Sequence, residues 1–144
     1  MIFPSLPYWK DLPDLDLYLD QVLLYVNQCT DFSEVSDNKS LTASMINNYV
    51  KHGYVTKPIK KKYQKQQLAR LIAISLFKTV FPIQDISRVL EELQADSESL
   101  YNTFVTCWNQ KAPIEEDIPP IVQVACQTVK DYHKTIYLLQ EVTQ

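Results

Sequence analysis

The chain of 144 residues is 46% hydrophobic and 22% charged, a balance that excludes a disordered protein and favours a globular one. No apolar stretch approaches the roughly 20 residues of a membrane span, and the N-terminus lacks the basic start and apolar core of a signal peptide. Three widely spaced cysteines fit reduced thiols. We therefore expect a single cytoplasmic domain, residues 1–144, with no membrane contact and with segments 1–40, 41–96 and 97–144.

The charge of the chain is strongly segregated. Between Asn38 and Gln84 there is no acidic residue, although this segment holds nine of the 14 lysines and arginines. The rest of the chain holds five basic residues and all 17 acidic ones, so a middle of +9 lies inside a chain of net −3. Segregation on this scale indicates the kind of partner rather than the fold. A chance run of solvated lysines is the alternative interpretation.

The first segment is predicted to be an N-terminal arm followed by one helix. Three prolines within the first 13 residues exclude a regular helix there, and apolar residues at helical spacing then run over Leu15–Val26. Either Asp14 or Asp16 is expected to cap this helix. The polar residues 27–40 are predicted to form a loop, with at most one short helical turn at Phe32–Val35.

The second helix has clear end signals in the sequence. Thr42 is a suitable N-cap, and Leu41 before it is placed to pack on Ile46 as a hydrophobic staple. The only glycine of the chain, Gly53, stands where a left-handed residue usually ends a helix. The outer face of this helix is predicted to carry Ser44, Asn47, Asn48 and Lys51.

A short two-stranded wing is predicted after Gly53. Residues 54–56 are β-prone, Lys57-Pro58 supplies a bend, and a second extended piece ends at Tyr63. Four lysines belong to this wing: Lys57, Lys60, Lys61 and Lys62.

Helices fill the remainder of the predicted chain. A third helix runs from Gln64 until Pro82 ends it, and a fourth follows. A fifth is predicted over 97–110, and a last one begins at Pro119-Pro120 and continues close to the C-terminus. Its apolar residues at steps of three and four form a heptad seam, made of Val122, Ala125, Val129, Tyr132, Ile136 and Leu139.

This order of helix, glycine stop, lysine-rich wing, helix, proline and helix resembles the MerR-type winged-helix regulators. Residues 41–55 are similar to the recognition helix and turn of that family, 61–63 to the end of its wing, and 81–86 to the helix start after its third helix. The resemblance implies an all-α domain that contains a winged helix-turn-helix with a small two-stranded wing and ends in a long C-terminal helix.

A closer resemblance covers most of the chain. Leu12–Leu15, Met45–Lys51 and Lys57-Pro58 resemble an uncharacterised MerR-like family of Gram-positive bacteria that is known only as a domain of unknown function. This second resemblance implies no particular activity.

The function implied is binding of duplex DNA, either as a transcriptional regulator or as a nucleoid-associated protein, because short polar side chains on a helix can read base edges in the major groove. Ser44, Asn47 and Asn48 would contact bases, and Lys51 would reach a phosphate. The wing lysines would supply affinity through the DNA backbone without sequence information. Tyr63 either donates its hydroxyl to a phosphate or packs its ring beneath the wing, and we favour packing.

Other kinds of site receive little support from the sequence. Cys107, Cys126 and His133 lack the closely paired spacing of zinc ligands, so buried thiols and a solvent-facing histidine are the simpler interpretation. A chain with one glycine can hardly build a phosphate loop, and no nucleophile motif is visible. We expect no enzyme activity, no metal and no cofactor. An effector would be a small apolar ligand held by the helices after residue 96, or there is none.

Two alternatives concern partners. The seam of the last helix either pairs with a second copy, as in MerR-type dimers, or packs on helix 97–110 of its own chain. The competing function is a protein–protein interaction adaptor with a degenerate helix-turn-helix, in which the acidic helices 14–28 and 84–98 dock a basic partner.

Overall fold

The computed structural model describes residues 3–32, 40–93, 96–110 and 118–143. Within them the chain is mostly helical, with one small antiparallel sheet and a short 3₁₀ turn at Trp9–Asp11. The strands are β1 (Leu17–Tyr18) and β2 (Lys62–Tyr63), and the helices are α1 (Leu19–Cys29), α2 (Ala43–Lys51), α3 (Lys65–Phe77), α4 (Ile83–Glu92), α5 (Ser97–Asn109) and α6 (Pro120–Val142).

The helix α3 is the centre of the core. From Gln67 to Leu76 every residue except the half-buried Arg70 is buried, so this part of the helix has no exposed side chain. A helix that is buried on nearly all sides must be surrounded by other elements, and α3 contacts α1, α4, α5 and α6. Fully burying one leucine or isoleucine contributes about 1.5–3 kcal/mol to folding. Because α3 buries several such residues, its packing against the other helices is a major contribution to the stability of the core.

The first helix begins later than the sequence predicts. Leu17 and Tyr18 are extended and form β1, and α1 starts at Leu19. Neither Asp14 nor Asp16 caps it; instead Gln21 Oε1 accepts a hydrogen bond of 2.9 Å from the Tyr18 backbone N–H. The chain is therefore still extended where the apolar spacing alone indicates helix. The predicted turn at Phe32–Val35 lies mostly outside the described residues.

The ends of α2 are as the sequence predicts. Thr42 Oγ1 accepts a hydrogen bond of 3.2 Å from the Met45 N–H, and Leu41 is buried together with Ile46. At the other end Gly53 has φ +77°, its N–H bonds to Val50 O, and the Tyr54 N–H bonds to Tyr49 O. These two bonds form a Schellman motif, so α2 is closed at both ends.

The wing differs from the predicted hairpin. Ile59 and Lys62 exchange backbone hydrogen bonds of 3.1 and 2.9 Å around Lys60 and Lys61, whose φ values are 51° and 67°. This two-residue turn of type I′ geometry, Ile59–Lys62, is called the lysine turn below.

The strand that follows the lysine turn pairs with β1, not with residues 54–56. The register places Leu17 opposite Tyr63 and Tyr18 opposite Lys62. Two α3 side chains use the carbonyl groups that a 54–56 strand would need: Arg70 Nε donates to Tyr54 O at 2.5 Å and Gln67 Nε2 to Thr56 O at 2.8 Å. The predicted partner is therefore corrected to β1.

Only part of the predicted seam of α6 is buried in the structure. Val122 and Val129 are buried together with Cys126 and His133, against α3 and α5 of the same chain. Ala125 and Ile136 are half-buried, whereas Tyr132 and Leu139 are 38% and 54% exposed. The inner part of the seam thus packs within the chain. The prediction of a solvent-facing His133 is wrong, because this residue is fully buried.

Candidate nucleic-acid interface

The outer face of α2 is polar and open. Four side chains at positions i, i+3, i+4 and i+7 are all exposed, while Ile46 and Tyr49 on the opposite face are buried. Within the described part of the chain, these four side chains make no hydrogen bond or salt bridge. They are the residues predicted from the sequence: Ser44, Asn47, Asn48 and Lys51.

The four lysines of the predicted wing are exposed as well. Lys60 and Lys61 occupy the tip of the lysine turn. Lys62 lies with its Nζ 5.3 Å from the centroid of the Tyr18 ring, a cation–π contact that holds β2 against β1. Lys57, like Lys60 and Lys61, has no acidic partner in the described residues. These ammonium groups remain available to an anionic partner.

Not every basic residue of the segment without acidic residues, 38–84 (the acid-free segment), belongs to this surface. Lys65 forms a 2.9 Å salt bridge with Asp14 and donates to Trp9 O at 3.3 Å. Arg70 is half-buried and bonds to Tyr54 O and to Ser87 Oγ at 3.3 Å. Both residues therefore serve the fold, and Lys39 lies outside the described residues.

Tyr63 is part of the core. It is 4% exposed, and burial raises the pKa of its phenol above the usual value. Its ring therefore packs in the core, as favoured from the sequence, and Tyr63 is removed from the set of candidate DNA contacts.

His52 is an exposed residue at the end of α2. Its ring stacks on Tyr54 with centroids 6.0 Å apart, and its Nδ1 lies 2.9 Å from Asn48 O. In the tautomer with Nδ1 protonated, the ring satisfies a carbonyl of the last helical turn and leaves Nε2 facing outward. The residue thus closes α2 and adds a polar edge beside Lys51.

Three side chains that sequence reasoning did not single out fix the interface. Asn27 of α1 clamps the residue before α2: its Oδ1 accepts from the Leu41 N–H at 2.8 Å and its Nδ2 donates to Leu41 O at 3.0 Å. Gln67 and Arg70 of α3 hold the backbone after α2. Such bonds join residues far apart in sequence, so no local pattern indicates them.

The described residues contain no group of three His, Cys, Asp or Glu side chains that could hold a metal ion. Burial raises the pKa of the Cys107 and Cys126 thiols, so both are protonated near neutral pH. Within the described residues, no helix combines the length and apolarity that crossing a membrane would need.

A cavity of about 370 Å³ lies between α3, α4, α5 and α6. The sequence placed a possible effector among the helices after residue 96, but α3 and α4 contribute as much of the lining as α5 and α6 do. The cavity is on the side of α3 that carries Arg70.

The family described as Domain of unknown function (DUF1836) matches residues 7–110. The chain belongs to this family. The match includes both strands and the first five helices, whereas α6 lies beyond it. No curated protein and no solved structure matches the chain. The DUF1836 region therefore contains the whole candidate interface, and it carries no assigned activity.

Proposed function

We propose that this DUF1836 protein is a DNA-binding transcription regulator of the MerR-like winged-helix type, which reads duplex DNA with α2. The observation that carries the proposal is the open polar face of α2, whose side chains have no partner within the described residues. The major groove of B-DNA admits one α-helix. Because α2 is capped at both ends, and because side chains of α1 and α3 hydrogen-bond to the backbone that flanks it, α2 can enter the groove as a rigid body. The order of α2, glycine stop, lysine turn, α3, proline and α4 agrees with the resemblance to MerR-type regulators.

Asn47 and Asn48 are the proposed base-reading residues. An asparagine amide can donate to and accept from the same adenine, and a good bidentate pair discriminates against a wrong base by about 1–3 kcal/mol. Ser44 lies one turn before them on the same face and can contact either type of base. Lys51, at the end of the face, is placed to contact a phosphate.

The lysines supply the affinity in this proposal. Lys51, Lys57, Lys60, Lys61 and Lys62 are exposed, and no carboxylate lies within salt-bridge distance of them in the described residues. Five phosphate contacts give a slope of about −4.5 in a plot of log K against log salt. Affinity for duplex DNA should then fall roughly 500-fold between ~50 and ~200 mM salt.

The test compares two double variants in titrations of a labelled duplex at several salt concentrations. Lys60→Gln with Lys61→Gln should reduce the magnitude of the slope by about 1.8. The matched control is Lys10→Gln with Lys134→Gln, which removes two exposed lysines outside the acid-free segment and should leave the slope unchanged.

Absence of duplex binding by the wild type at ~50 mM salt would contradict the proposal. The adaptor alternative would then be favoured, because α4 presents exposed Asp85, Glu91 and Glu92 to a basic partner. Equal slopes for the two double variants would show that the lysine turn is not the surface that contacts DNA.

We further propose that the regulator is a homodimer through the distal part of α6. After His133 the helix has no fully buried residue, and Leu138, Leu139 and Val142 are 56%, 54% and 81% exposed. Apolar side chains grouped on an exposed helix end are typical of an interaction surface. A dimer would present two copies of α2 to successive turns of a palindromic site.

A further inference from the structure

The cavity between α3, α4, α5 and α6 is large enough for a small molecule. Its volume of about 370 Å³ lies within the range of ligand pockets in proteins. Most of its wall is apolar, and large side chains from all four helices contribute to it, among them Phe77, Phe81, Leu90, Phe104 and Ile121. Such a wall selects an apolar body.

Among the described residues that line this wall, Arg70 is the cationic one. Its Nε and Nη2 donate to Tyr54 O and Ser87 Oγ, while Nη1 makes no hydrogen bond within the described part of the chain. A guanidinium has five N–H donors and stays protonated in proteins, so donors remain for a further acceptor.

No carboxylate in the described residues balances Arg70 at close range. Glu91 acts on it electrostatically, but no acidic oxygen lies within the 4.0 Å of a salt bridge. Asp85, the acidic residue among the described residues of the lining, is exposed to solvent. Half-burial without an ion pair is costly for a charged group, and an anionic partner would relieve this cost.

We propose that the cavity binds a small amphipathic carboxylate, with its apolar body between α4 and α6 and its carboxylate on Nη1 of Arg70. Arginine is suited to this role because its planar N–H groups match the two oxygens of a carboxylate. The proposal does not depend on DNA binding. Because Arg70 also bonds to Tyr54 O, the bound carboxylate lies one side chain away from the end of α2.

The experiment is isothermal titration calorimetry of the full chain with decanoate and with decanol, both below the concentrations at which they aggregate. We expect saturable 1:1 binding of decanoate. Decanol has the same apolar body without the charge and should bind roughly ten- to a hundredfold more weakly, since a hydrogen bond to a charged group contributes about 1.5–3 kcal/mol. Arg70→Gln should remove this difference by weakening only decanoate.

A second pair of variants keeps the test independent of any loss of stability caused by Arg70→Gln. Ala125 lines the cavity, so Ala125→Trp should fill it and abolish binding of both compounds. The matched control is Gln127→Trp, at an exposed position of α6 that is not part of the lining, and it should bind decanoate as the wild type does. Circular dichroism establishes that each variant is folded.

Three results would overturn the proposal. The first is no saturable binding of decanoate by the folded wild type. The second is failure of either control, in which decanoate and decanol bind with equal affinity or binding survives in Ala125→Trp. The third is a wild-type dimer that binds no decanoate and that Ala125→Trp converts to a monomer in analytical ultracentrifugation, which would identify a second copy of the chain as the occupant.

Discussion

Gly53 permits a calculation of what the end of α2 contributes to stability. It has φ +77°, and a Cβ added there would meet no heavy atom within 4 Å. Clash with the surrounding protein therefore contributes nothing to Gly53→Ala, and the cost is that of left-handed backbone for an L-residue, about 1–2 kcal/mol. Alanine also lowers the conformational entropy of the unfolded chain relative to glycine, and this effect offsets about 0.4–1 kcal/mol of that cost. We expect the free energy of unfolding to fall by about 1 kcal/mol.

The opposite change, from a residue with a side chain to glycine at a left-handed position, can be made at Lys61. It is exposed and has φ 67°, so Lys61→Gly removes the left-handed cost and widens the unfolded ensemble. The same two terms with opposite signs predict a gain of about 1 kcal/mol. Gly53→Asn should lose less than Gly53→Ala, because asparagine tolerates left-handed backbone better than alanine does.

The assay is equilibrium unfolding in urea followed by circular dichroism. The midpoint should shift without a change in the m-value, because the surface exposed on unfolding stays the same. For a domain of this size, 1 kcal/mol corresponds to about 2–4 °C in Tm. The reasoning is refuted if Gly53→Ala is neutral or stabilising, or if Lys61→Gly destabilises the protein.

Three further outcomes are expected. Leu71 is fully buried in α3, so Leu71→Ala should cost about 2–5 kcal/mol in urea unfolding; a smaller loss would show that α3 is not central. Burial lowers the pKa of His133 below its usual 6.5. The neutral imidazole therefore stabilises the folded protein fully above pH 6.5, and this stabilisation is lost as the pH falls from 6.5 towards the pKa of the folded state. Unfolding at pH 7.5 and 5.5 should show this loss in the wild type and a smaller one in His133→Met. The double variant Leu139→Glu with Val142→Glu should be monomeric in analytical ultracentrifugation. The wild type and the control Gln140→Glu, at an exposed site, should be dimeric at the same concentrations. A dimeric double variant would exclude the distal end of α6 as the interface.

Local signals in the sequence are sufficient to predict α2. Its cap, its staple and its glycine stop act over at most six residues; the structure confirms the cap at Thr42 and the stop at Gly53, and it buries Leu41 as the staple requires. The exposure of Asn47 and Asn48 follows from the same helical period. Position and exposure are therefore predictable here, whereas contact with DNA stays a proposal.

The pairing of the wing was not predictable from local signals. β2 has two extended candidates as partner, and the choice between them depends on α3 side chains and on a contact between positions 17 and 63. The face of α6 that becomes buried is likewise decided by α3 and α5, because a heptad pattern does not distinguish packing within a chain from packing between chains. The cavity beside Arg70 has no sequence signature at all, since it arises from the gap between four helices.

Base reading by α2 is tested most directly by selection from a random pool of duplexes at ~50 mM salt. The wild type should enrich a defined sequence. Asn47→Ala with Asn48→Ala should lose this preference while keeping non-specific affinity, because the lysines are unchanged, and the exposed control Gln127→Ala should enrich the wild-type sequence. Enrichment of the same sequence with the same affinity by the double variant and the wild type would contradict base reading by α2.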